Sequence, residues 1–122
     1  MVKTSKAPRQ SNVEKLDDLV FKAMANGDRR RIMNFLRERP RTTGEICQHV
    51  TWLNRCTVMQ HLRTLERAEL VIAKKRGRYR FNYLDIAPIQ RIHRRWIKEY
   101  AQPAAEWLCE LKEQLENHKI ES

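Results

Sequence analysis

The chain has 122 residues, with 25 Lys+Arg against 15 Asp+Glu, a formal net charge of +10 and a sequence pI near 10.0. That length predicts one domain able to fold alone, and an apolar fraction of 41% excludes wholesale disorder. No apolar run approaches the ~18 residues a membrane span needs, and Met1–Lys6 is basic with no apolar stretch behind it, so neither a membrane partner nor a signal peptide is expected.

Residues 1–11 lack apolar periodicity and carry Lys3, Lys6 and Arg9, which predicts a flexible basic tail. Val13, Leu16, Val20 and Met24 then recur in steps of three and four, the spacing of one helical stripe. Asn26-Gly27 is expected to end that helix, and Asp28 to cap a second one that points Ile32, Phe35 and Leu36 to one face before Pro40. Thr42-x-x-Glu45 has the spacing of a capping box and predicts a short third helix through Ile46 and Val50. A turn at 51–54 leads to a fourth helix, about Arg55 to Arg67, capped by Asn54. Leu70–Ile72 and Tyr79–Tyr83 read as two short strands joined at Arg76-Gly77-Arg78. Asp85 and Pro88 open a long last helix with apolar positions at Ile89, Ile92, Trp96, Tyr100, Ala104, Trp107, Leu111 and Leu115, and a kink or brief break is expected at Pro103.

The fold class that follows is mostly α with a small β-hairpin. Its expected parts are the tail (1–11), a helix-turn-helix with a hairpin wing (12–86), and a C-terminal helix (87–122). Two short helices and a tight turn set one helix against the major groove of a duplex, and a basic hairpin beside it reaches the backbone. The fourth helix supports this. Val58, Leu62 and Leu65 face inward, while Arg55, Thr57, Gln60, His61, Arg63 and Thr64 form the opposite face, a set of long donors and small hydroxyls. Residues 1–102 carry a balance of +13 and residues 103–122 one of −3, so the cationic excess lies on the body. Runs at Arg29–Arg31 and Arg91–Lys98 read as solvated helix faces. The run from Lys74 to Arg80 holds five cations around a glycine and reads as a phosphate grip.

Phe21–Ile32, Gly44–Cys47, Thr57–Val71, and Gly77-Arg78 with Tyr83-Leu84-Asp85 together resemble the ArsR-type winged-helix repressors over about residues 13–100. Arg55–Leu62 and Arg95-Trp96-Ile97 resemble a branch of that family without metal sites. Glu69 stands where the family usually has Gly. The resemblance implies a cytoplasmic, homodimeric DNA-binding regulator, expected to be a repressor on a palindromic operator. It also places the dimer interface on the first and last helices, with Val13, Leu16, Val20, Ile92, Trp96, Tyr100, Trp107 and Leu111 as candidates. The DNA-contacting candidates are Asn54, Arg55, Thr57, Gln60, His61, Arg63 and Thr64 on the recognition helix and Lys75, Arg76, Arg78 and Arg80 on the wing. Gln60 can read adenine and Arg63 guanine, or Arg63 can clamp a phosphate. His61 has two open roles, DNA contact or an internal bond.

Three cysteines, Cys47, Cys56 and Cys109, are odd in number and unrelated in spacing, which predicts no disulfide framework and a reducing compartment. Metal-sensing relatives carry Cys-x-Cys where this chain has Cys47-x-His49. Two ligands on one helix do not close a site, so no metal and no cofactor are expected, and Cys47 reads as a small buried hydrophobe. A metal- or redox-responsive repressor using Cys47 and His49, with an unknown metal or small-molecule inducer, remains the alternative within this fold. A non-specific architectural nucleic-acid-binding protein is the alternative outside it. No catalytic constellation or phosphate-cradling glycine loop is present, so an enzyme is not expected.

Overall fold

The computed structural model describes residues 7–121, with the backbone alone for 102–105 and 118–121. The first six residues of the expected basic tail lie outside the described residues, and Ala7–Gln10 carry no regular structure. The elements run α1 (Asn12–Met24), α2 (Gly27–Glu38), β1 (Arg41–Thr42), α3 (Thr43–His49), α4 (Arg55–Arg67), β2 (Val71–Arg76), β3 (Tyr79–Leu84) and α5 (Ala87–Ile92). A π-helical stretch (His93–Ile97) and α6 (Lys98–Glu121) follow. The chain divides into two compact units, one ending at Pro88 and one starting at Ile89.

In the first unit each helix start has a side-chain cap. Ser11 accepts the Glu14 N–H at 3.2 Å, and Asn54 accepts the Thr57 N–H at 2.8 Å. Thr42 and Glu45 close the reciprocal capping box expected from their spacing. The boundary between α1 and α2 differs from expectation. Asn26, not Asp28, caps α2 by accepting the Arg29 N–H at 3.1 Å, and Gly27 is the first helical residue. Asp28 sits within the first turn, where its Oδ1 accepts from the Trp52 indole N–H at 2.9 Å and pairs with Arg31.

The core gathers one face of each of the first four helices. Val20, Ala23, Ile32, Ile46, Val50, Val58, Leu62, Leu65 and Leu70 are fully buried. Phe35, expected inward, is half-buried between Arg41, whose guanidinium lies 3.9 Å from the ring centroid, and His49, whose ring stacks at 3.9 Å.

The fourth helix ends in a Schellman motif. The Leu70 N–H reaches the Leu65 carbonyl and the Glu69 N–H the Glu66 carbonyl, both at 2.9 Å. Glu69 occupies the left-handed position with φ 62°, so the turn into the wing keeps its geometry although the residue is not glycine. Leu65 and Leu70, the positions where that motif places its apolar pair, are both fully buried.

The wing is longer than the sequence suggests. β2 and β3 pair antiparallel from Val71↔Leu84 to Arg76↔Tyr79, which leaves Gly77-Arg78 as a two-residue turn. Gly77 takes φ 61°, the positive value that hairpin turns of this length demand of their first residue. A third strand, β1, was not expected. It pairs with β3 through Arg41↔Asn82 and Thr42↔Phe81, giving the order β1-β3-β2. Asn82, fully buried, donates to the Arg41 carbonyl and to Thr43 Oγ1, both at 3.2 Å.

In the second unit the helical path is interrupted ahead of Pro103, not at it. The Lys98 N–H bonds to the His93 carbonyl across a π turn, and α6 then runs through position 103 without a break. Its outward apolar positions include Trp96, Tyr100, Trp107, Leu108, Leu111 and Leu115, all exposed.

Candidate nucleic-acid interface

Helix α4 is amphipathic in an unusual sense. Val58, Leu62 and Leu65 anchor it at 0% exposure, and its outer surface presents Asn54, Arg55, Cys56, Gln60 and Arg63 to solvent. Thr57 and Thr64 are half-buried on its flanks, and the Thr64 hydroxyl donates to the Gln60 carbonyl at 3.1 Å. The Gln60 side chain itself is exposed.

His61 lies elsewhere. It is half-buried, and its Nδ1 meets Arg29 Nη1 at 3.2 Å. A guanidinium has donors only, so Nδ1 accepts and the ring proton sits on Nε2. Burial holds the ring below its ordinary value near 6.5, the Arg29 charge adds to that, and Asp28 opposes it. The same guanidinium donates to the carbonyls of Ala23 at 2.7 Å and Lys22 at 3.1 Å. Arg30 donates to Met24 at 2.5 Å. The last carbonyls of α1, where the helix dipole is negative, are therefore capped by two arginines of α2. Of the run Arg29–Arg31, expected as a solvated face, Arg30 and Arg31 are exposed, and Arg29 is half-buried and bonded within the fold.

The wing divides its cations in the same way. Lys75, Arg76 and Arg78 are exposed. Lys74 lies over the Tyr83 ring and Arg78 over the Tyr79 ring. Arg80 is half-buried and ion-paired with Glu66 of α4. Its charge is thus neutralised inside the fold, and its place is to tie the wing to α4.

Arg29, Arg30, Arg31, Arg39, Arg41 and Arg80 are engaged with carbonyls or carboxylates of the chain. Among the described residues Arg55 and Arg63 of α4, with Lys75 and Arg76 of the wing, have no ion pair or hydrogen bond. Two clefts run along this surface. One, of about 350 Å³, lies between the N-terminus of α3, Arg55, Met59 and the wing residues Arg78–Arg80. The other, of about 390 Å³, is lined by Arg55, Cys56, Met59, Gln60 and Arg63. Met59 and Thr42, which line these clefts, were not among the residues expected there from sequence. Met59 looks like core by composition, and only its place one residue after Val58 marks it as a flank.

The remaining candidates are placed as follows. Cys47 is half-buried and His49 is stacked on Phe35, and among the described residues no group of three metal-ligating side chains gathers. Val20 is fully buried within the core and Ile92 is buried, so neither presents a free surface. Val13, Trp96, Tyr100, Trp107 and Leu111 are exposed, and Leu16 is half-buried. No helix among the described residues is long and apolar enough to cross a membrane.

Comparison with known proteins agrees with this geometry. Residues 26–73 match the model of the bacterial regulatory protein family arsR. YuzN of Bacillus subtilis, an uncharacterised HTH-type transcriptional regulator, is 31% identical over 87 residues, which is 66% of this chain and 95% of that protein. The transcriptional repressor SdpR of the same organism is 28% identical over 71 residues, 58% of this chain and 78% of its own. Among solved structures, HlyU from Vibrio cholerae superposes with a TM-score of 0.57 at 27% identity, over 71% of this chain and 98% of that one. An ArsR-like transcriptional regulator from Rhodococcus sp. RHA1 gives a TM-score of 0.64 at 20% identity, over 84% and 92%.

Proposed function

The chain belongs to the ArsR family of DNA-binding transcriptional regulators, not enzymes, and from that premise we propose that it is a homodimeric, cytoplasmic repressor of a palindromic operator. The observation that carries the DNA-facing part is that α4 and the wing together present Arg55, Arg63, Lys75, Arg76 and Arg78 exposed along two clefts that Arg55 and Met59 share. In this reading α4 enters the major groove, with Gln60 and Arg63 at base edges and Arg55 at base or backbone. Lys75, Arg76 and Arg78 grip the adjacent phosphates. His61 and Arg80 hold the reading elements in place from within and touch no base.

Dimerisation is supported by Trp96, Tyr100, Trp107 and Leu111, an aromatic and aliphatic stripe that α6 and the turn before it leave exposed. Two copies would set their recognition helices on half-sites ~34–36 Å apart, or a multiple of that. Bound there, the dimer occludes polymerase. The 12–86 segment reads DNA and the 87–122 segment supplies the partner surface.

Fluorescence anisotropy on duplexes selected from the source genome tests the reading. A dimer neutralising about 6–10 phosphates gives a slope of log affinity on log salt of roughly −5 to −9. A slope near zero, or equal affinity for unrelated duplexes, overturns it.

A further inference from the structure

The outer face of α4 is not wholly polar. Met59 lies one turn after Arg55 and one turn before Arg63, so the three side chains follow one flank of the helix in steps of ~6 Å. Met59 is half-buried, and with Arg55 it is shared by both clefts of this surface. Val58, Leu62 and Leu65 take the fully buried inward positions of α4, and Met59 stands at their edge, in part open to the clefts. Cys56, exposed on the same flank, adds a second weakly polar group beside it. An apolar, adaptable side chain thus sits between two free guanidiniums, on the face proposed to enter the groove.

In the major groove the only apolar group on any base edge is the 5-methyl of thymine. We propose that Met59 is a specificity-determining residue that reads a thymine methyl, flanked by the base or phosphate contacts of Arg55 and Arg63. This rests on the reading that α4 enters the major groove. It adds a contact that selects by shape and hydrophobic burial, where hydrogen-bonding side chains alone would leave the thymine edge only partly read.

The test uses the full-length protein and the tightest duplex it selects from a random pool. Each thymine of that duplex is replaced in turn by deoxyuridine, which keeps every hydrogen-bonding group and removes only the methyl. The wild type loses about fourfold in affinity at one position per half-site, the ~0.8 kcal/mol of one buried methyl at 1.4 kcal/mol per tenfold. Met59→Ala binds the thymine duplex more weakly and no longer distinguishes thymine from uracil there, with its salt slope unchanged. Met59→Leu, which keeps the apolar volume and the fold, retains the distinction. A wild type indifferent to every substitution overturns the proposal and leaves the regulator reading intact, as does a Met59→Ala variant that still discriminates. A wild type that selects no duplex from the pool overturns both.

Discussion

Three consecutive arginines of α2 should have three different costs. Replacing Arg29 by Met removes two hydrogen bonds from a cation to the carbonyls of Lys22 and Ala23, and the bond to His61 Nδ1. Bonds to charged groups contribute ~1.5–3 kcal/mol each where they are sheltered. Arg29 is only half-buried, so each of its three bonds is taken at about 1 kcal/mol, below that range, and the total is about 2–4 kcal/mol. Arg31 makes an i,i+3 pair with Asp28 and its side chain is 60% exposed. A pair of that kind contributes about 0–1 kcal/mol. Arg30, exposed but bonded to the Met24 carbonyl, falls between the two. At roughly 4 °C per kcal/mol for a domain of this size, Arg29→Met lowers the melting temperature by about 8–16 °C and Arg31→Met by less than about 4 °C. Thermal melts followed by circular dichroism at matched salt give the comparison directly. If the Arg29 and Arg31 variants melt within about 2 °C of each other, the capping of α1 contributes nothing and the account of the arginine run is wrong.

Two further outcomes follow from local geometry. Glu69 holds a left-handed conformation that costs a side-chain-bearing residue ~1–2 kcal/mol. Glu69→Gly should therefore raise stability by about 0.5–1 kcal/mol after glycine's added chain entropy, and a denaturant midpoint that falls would contradict the strain. His61 is held below its ordinary value near 6.5, so the unfolded chain takes up the proton first. The contribution of His61 is complete above that value, declines as pH drops below it, and levels off once the folded ring is protonated too. His61→Asn, whose carboxamide oxygen can replace Nδ1 as acceptor without titrating, should flatten that part of the stability profile. An unchanged acid limb in denaturant melts would show that the ring does not carry it.

Much of this architecture is legible in the residue pattern, because most of the signals are local. Thr42 and Glu45, or Asn54 before Arg55, declare helix starts through bonds three residues long. Gly77 declares a hairpin through the φ it alone adopts cheaply. What the pattern hides depends on partners distant in sequence. β1 exists only because Arg41 and Thr42 meet Asn82 and Phe81, some forty residues on. Arg29 faces His61 across 32 residues, and Arg80 faces Glu66 across 14. From composition alone an arginine that caps a helix and one that waits for a phosphate look the same. The residues expected on α4 and the wing do share one surface, while Arg80 and Val20, expected outward, are used inwardly, and of the two roles open to His61 the fold shows the internal bond. Asn26 and Asp28 could each cap α2, and the Asp28 contact with Trp52, 24 residues away, accompanies the choice of Asn26.

Strand β3 has a consequence beyond closing the sheet. It is the central strand, bonded to β2 on one side and to β1 on the other, and Asn82 fixes it to the first residue of α3. Arg80 fixes it to α4 as well. The base of the wing, the entry of α3 and α4 are thus tied to one strand. If α4 and the wing meet DNA as proposed, these ties limit how far they can adjust to it separately, so a mismatch in groove width or curvature falls in greater part on the DNA. Bending a site of 20–30 base pairs by 40–90° costs of order 1–6 kcal/mol, and that cost varies with the flexibility of the steps being bent. Base pairs that no side chain reaches would then still weigh in the choice of site, through how readily they deform.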